Sequence, residues 1–110
     1  MTTAYNYAAP LFELQRFEET KSLMRKTMPV ARRVLGGNHE YTLRMKDVYA
    51  RALYKADGAT FDDLRQAVTT LQDAERTARR VLGGRHPNTV DIGQSLQIAR
   101  AVLRVRESRA

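Results

Sequence analysis

Apolar side chains recur at helical spacing along most of the chain. Between Thr60 and Gly83 they fall at Phe61, Leu64, Ala67, Val68, Leu71, Ala74, Ala78, Val81 and Leu82. Steps of three, four and seven residues gather them on one face of an α-helix. No Pro or Gly interrupts that segment. Thr60 is the expected N-cap, and Asp62 and Asp63 sit beside the positive end of the helix dipole. Arg79 and Arg80 suit the opposite end, and Gly83-Gly84 supplies the left-handed backbone that stops a helix. Phe17 to Leu35 repeats the pattern with Leu23, Met24, Val30, Ala31, Val34 and Leu35. Pro29 deletes one hydrogen bond there, which predicts a bend or two shorter segments. Further helices are expected over Thr3–Leu14, His39–Lys55 and Pro87 to about Arg106. Asn38 is the expected N-cap of the second, and Pro87 fits the first turn of the third. Val90, Leu96, Ala99, Val102 and Leu103 mark one side of that last helix. No segment alternates with period two, so no strand is predicted.

The pattern is duplicated. Ala31-Arg32-Arg33-Val34-Leu35-Gly36-Gly37 returns as Ala78-Arg79-Arg80-Val81-Leu82-Gly83-Gly84, and the match continues through His39/His86 and Thr42/Thr89. Upstream, Tyr7-Ala8 and Leu11 echo Tyr49-Ala50 and Leu53, and Phe17-Glu18-Glu19 echoes Phe61-Asp62-Asp63. Repeats of this length mark stacked supersecondary units. The expected fold is all-α: a right-handed stack of antiparallel helix pairs, an α-solenoid of about two and a half repeats. Repeat 1 spans residues 1–37, repeat 2 spans 38–84, and a capping helix fills 85–110, making five helices in a single domain. Arg100, Arg104 and Arg106 are expected on the water-facing side of that cap.

The residues that join the pairs resemble a known family. Val34-Leu35-Gly36-Gly37-Asn38-His39-Glu40-Tyr41-Thr42-Leu43 and Val81-Leu82-Gly83-Gly84-Arg85-His86-Pro87-Asn88-Thr89-Val90 look like the linkers of tetratricopeptide repeats of the kinesin-light-chain type. Asn6-Tyr7-Ala8 and Val48-Tyr49-Ala50 fit the first helix of such a repeat, and the family usually has Asn where Val48 stands. The resemblance implies a peptide-binding scaffold whose first helices line a groove. Aligning Ala8 and Ala50 with the small residue of the repeat places Asn6 and Glu13 on the groove side of the first helix. Arg44, Asp47, Arg51 and Lys55 then share the groove face of the next, and Asp91, Gln94 and Ser95 that of the last. Three cations and one acid on one stripe suit an acidic peptide or a terminal carboxylate.

Composition narrows the chemistry. The chain has 110 residues, no Cys, 43% hydrophobic and 28% charged residues, and a formal net charge of +7. Absence of Cys excludes disulfides, thiolate catalysis and cysteine-held metal. No run nears the ~20 apolar residues of a membrane span, and Met1 to Pro10 lacks the form of a secretory signal, so the cytoplasm is the expected location. His39 and His86 occupy the same linker slot one repeat apart, a turn role rather than a metal pair. The Gly pairs follow helices and lack a Lys-Ser/Thr partner, so they do not cradle phosphates. None of Ser22, Ser95 and Ser108 neighbours a His, and no nucleophile–base–orienter set assembles. No catalytic residue, metal ligand or cofactor is expected. The expected function is protein–protein interaction, with a protein or peptide partner in the basic groove. The charge also admits two alternatives: a basic solenoid binding nucleic acid, with Arg32-Arg33 and Arg79-Arg80 as its ridge, or a self-associating structural module. The expected oligomeric state is a monomer or weak self-association.

Overall fold

The computed structural model describes residues 16–56 and 58–109. It contains four helices: α1 (Phe17–Leu35), α2 (Glu40–Lys55), α3 (Phe61–Val81) and α4 (Pro87–Arg109). No strand occurs among the described residues. The helix expected over Thr3–Leu14 lies outside them. Each helix packs on the next, and α2 also packs on α4. This is the layout of stacked helix pairs, with α1 and α3 flanking α2.

The α3 periodicity carries straight into burial. Leu64, Ala67, Leu71, Ala74 and Ala78 are fully buried. They meet Leu43, Met45 and Leu53 of α2, Met24 of α1 and Ile92 of α4 in one core. Fully buried alanines, among them Ala31, Ala50, Ala67, Ala74 and Ala99, keep the helices close. The last turns depart from the expected stripe. Val34 is 65% exposed and Val81 is also exposed, because both stand where the chain is leaving its helix for the turn. Val90 is exposed as well.

Pro29 lies inside α1, which continues as one helix from Phe17 to Leu35. Two shorter segments are therefore not formed. Pro29 and Arg25, whose carbonyl loses its donor, both lie on the exposed side, where solvent can serve that carbonyl. α4 runs three residues beyond Arg106. Arg106 is not on the water-facing side: its Nη1 donates to the Ala59 carbonyl at 2.7 Å, and its guanidinium stands over the Phe61 ring. These contacts dock the final turns of α4. Elsewhere α4 is exposed where α2 is buried. Leu43, Ala50, Leu53 and Tyr54 are buried on α2, whereas Val90, Gln97, Arg100 and Ala101, each 47 residues later, are exposed.

The two turns between paired helices share one hydrogen-bond pattern. Gly36 and Gly83 have φ of 93° and 94°, a region that favours glycine. Gly36 adds ψ of 152°, a combination nearly closed to other residues. The His39 N–H donates to the Gly36 carbonyl, and the His86 N–H to that of Gly83, both at 3.3 Å. His39, not Asn38, is then the N-cap of α2: its Nδ1 accepts from the Tyr41 N–H at 3.1 Å. His86 Nδ1 accepts from the Asn88 N–H at the same distance. An imidazole Nδ1 is bonded to Cγ, as an Asn or Asp Oδ1 is, so it has the same reach to the first free N–H groups of a helix. Thr60 caps α3 as expected, in a reciprocal box with Asp63.

Two stability outcomes follow from this turn. Gly83→Val lowers the unfolding free energy by more than about 1 kcal/mol in urea titration, since it forces a β-branched residue to positive φ. His86→Ala costs about 1 kcal/mol, whereas His86→Asp keeps the cap and the stability; equal losses in the two variants would show that the imidazole acts by packing instead.

Candidate binding groove

The stripe that spacing placed on α2 faces α4 across a cavity of about 250 Å³. From α2 the lining comprises Asp47, Arg51, Tyr54 and Lys55; from α4, Asp91, Gln94, Ser95 and Ile98. Arg44 closes one end by a 2.7 Å bond from Nη1 to Asp91 Oδ2. Seven expected groove residues, Arg44, Asp47, Arg51, Lys55, Asp91, Gln94 and Ser95, are thus brought together. Asn6 and Glu13 lie outside the described residues.

Asp47 is the floor. The residue is 2% exposed, and its Oδ1 is buried with no hydrogen-bond partner. Burial pushes its carboxyl above the usual Asp range. The Ser95 hydroxyl, which hydrogen-bonds the carboxylate, and the charges of Arg51 and Arg44 pull the other way. Tyr54, likewise buried, is held above its ordinary value by desolvation. Lys55 is held below its own, first by desolvation and then by Arg51. Asp47 is therefore stripped of water, whereas Lys55 stays exposed at the mouth, and both feel the charge of Arg51.

Two features were not read from the sequence. Arg44 is engaged with Asp91, which leaves Arg51 and Lys55 as the cations lining the cavity. The α4 wall is also apolar where α2 is charged. Ile98 and Val102 stand 47 residues after Arg51 and Lys55. Ile98 is 49% exposed and Val105 is 50% exposed. Val102 and Val105, with Ala101, Arg106 and Arg109, line a second hollow further along α4. The α2 wall thus carries the cations, and the α4 wall combines Asp91, Gln94 and Ser95 with the aliphatic Ile98.

The histidines stay at their turns, each capping a helix, and His86 Nε2 stands 3.8 Å from Glu40 Oε2. No cluster of three or more potential metal-ligating side chains occurs among the described residues. No helix among them is long and apolar enough to cross a membrane.

Residues 2–41 match the tetratricopeptide-repeat family model. That stretch holds the segment before α1, α1 itself, the Gly36-Gly37 turn and the first residues of α2. No curated protein matches the chain, and no solved structure matches it.

The raised Asp47 carboxyl predicts a signed pH effect. The fold favours the neutral acid, so stability is lost as pH rises from the unfolded-state pKa through the higher folded one. Asp47→Asn removes the ionisation. It melts above the wild type near pH 7, and the gap narrows as pH falls below about 4. Thermal melts across that range check this; a wild type more stable than Asp47→Asn at neutral pH contradicts it.

Proposed function

Residues 2–41 match the tetratricopeptide-repeat family, whose repeats typically serve protein–protein interaction rather than catalysis, and on that premise we propose that the α2–α4 groove binds an extended peptide segment carrying acidic groups. The observation that supports this most is the lining: Arg51 and Lys55 share a cavity with a buried acceptor that has no hydrogen-bond partner, Asp47 Oδ1. A peptide complements each of these elements. Its carboxylates meet the cations by charge-assisted hydrogen bonds, stronger than neutral ones. Its backbone N–H groups meet Asp47. Its apolar side chains lie along Ile98 and Val102, where burial stabilises the complex by ~25 cal/mol per Å² of apolar surface.

The exposed outer side of α4, where Gln97, Arg100 and Arg104 stand, supports its reading as the cap of repeat 2. The burial of Asp47 supports a binding role in another way. A carboxylate kept in the fold at a cost to stability is a hallmark of a working site. Binding here is a matter of complementary surfaces with no bond made or broken.

An array of immobilised peptides tests the groove, with sets that share apolar positions and carry Glu, Gln or Lys between them. The Glu set binds most strongly, and Arg51→Glu with Lys55→Glu reverses the order. Since a surface ion pair contributes only up to about 1 kcal/mol and a partly desolvated one more, the double variant should lose about tenfold or more in affinity for the Glu set. Equal binding of the three sets by the wild type would reject the acidic preference.

A further inference from the structure

The other flank of α2 holds a second cleft, also about 250 Å³, between α1 and α3. Met28 and Arg32 of α1 border it, Lys46 and Tyr49 of α2 form its base, and Gln66, Thr70 and Asp73 of α3 close it. The repeat supplies an internal comparison, because an equivalent cleft lies one repeat later. There Glu75, Arg79 and Leu96 stand 47 residues after Met28, Arg32 and Tyr49.

In the later cleft the arginine has a carboxylate of its own. Glu75 Oε2 lies 3.6 Å from Arg79 Nη2. It rests against the α4 backbone at Gly93, where an added Cβ would come within 2.7 Å of that oxygen. In the earlier cleft both partners have changed. Glu75 is replaced by Met28, and Gly93 by Lys46. The earlier cleft thus has no carboxylate on α1 beside its arginine and gains an amine on α2, with Asp73 of α3 as the carboxylate of its lining.

That exchange leaves Arg32 and Lys46 facing one space. Desolvation and the neighbouring Arg32 hold the Lys46 amine below its ordinary value, with only Asp73 acting in the other direction. Asp73 is exposed and sits 3.6 Å from Arg76 on its own helix, so its charge is shared. Neutral polar groups complete the lining. The Tyr49 hydroxyl accepts from Gln66 Nε2 at 3.3 Å, and Thr70 lines the cleft with them.

We propose that the α1–α2–α3 cleft is a binding site for a phosphate monoester, held by Arg32 and Lys46. The cleft is smaller than the ~300–1,000 Å³ of sites for drug-sized ligands, which suits a single anionic group. A carboxylate has two oxygens and is what one arginine takes in the later cleft. A phosphate group has three terminal oxygens and nearly two charges at neutral pH. It matches a guanidinium fork, an ammonium and a hydroxyl together. The site is separate from the α2–α4 groove and does not depend on the peptide reading.

The test is a backbone-amide NMR titration of the whole chain with inorganic phosphate and with O-phosphoserine, at ionic strength held constant with chloride. Wild type shows saturable shifts confined to the surroundings of Arg32, Lys46 and Thr70 for at least one of the two. Whichever binds more tightly assigns the source, a free ion or a phosphorylated side chain, and either order upholds the site. Met28→Glu restores the carboxylate of the later cleft and weakens binding by about tenfold or more, as does Lys46→Met, in keeping with loss of a charge-assisted contact. Glu75→Met with Gly93→Lys transplants the pair and creates a second saturable site at Arg79. Shifts that fail to saturate, that spread over the basic surface, or that persist unchanged in Met28→Glu overturn the proposal. The melting temperature of each variant without ligand verifies that it is folded.

Discussion

α2 is wrapped on three sides, and that constraint organises the rest of the molecule. It must satisfy α1, α3 and α4 at once, so most of its turns are buried and few positions remain for polar chemistry. Arg44, Arg51 and Lys55 fall toward the seam with α4, and Lys46 falls toward the seam with α1 and α3. Both cavities therefore share one central helix and open from opposite flanks of it. A helix packed so closely is rigid, which gives fixed positions to the groups at its edges.

Rigidity also explains how Asp47 is tolerated. Its neighbours Leu43, Ala50 and Leu53 are held in the core, and the carboxylate is carried inward with them. Ser95 and the two arginines offset part of the desolvation, while Oδ1 keeps none of the hydrogen bonding that water would have given it. The fold accepts this because the surrounding apolar contacts are many and the unpartnered atom is one.

The helices were legible because their periodicity is uninterrupted and their ends carry strong signals: Thr60 before α3, glycine after α1 and α3. The stripe Arg44, Asp47, Arg51, Lys55 was legible for the same reason, since spacings of three and four fix a helical face wherever the helix is placed. What packing decides was not legible. Asn38 is a better capping residue by type than His39, and only the course of the turn shows which side chain reaches the Tyr41 N–H. The α4 stripe puts Val102 on the core side, where it packs; Ile98 lies off that stripe, and only the docking of α4 on α2 brings it to the groove. Val34 and Val81 follow the periodicity but outrun their partners. The cation pair of the earlier cleft emerges only when Lys46 and Arg32, distant in sequence, are seen in one space.

The Arg44–Asp91 bond joins the same position of two successive repeats, 47 residues apart. In an array of identical copies each such position would meet its own kind, Arg against Arg or Asp against Asp, and both pairings repel. Divergence of the two copies has turned a self-contact into a complementary one. The stack thereby acquires a direction: the copy with Arg must precede the copy with Asp. A second bond at the same 47-residue separation, from the Arg106 guanidinium to the Ala59 carbonyl, also ties the two copies together. These repeats are no longer interchangeable modules, and a duplication inserting another copy of either would place like against like at a seam now held by opposites.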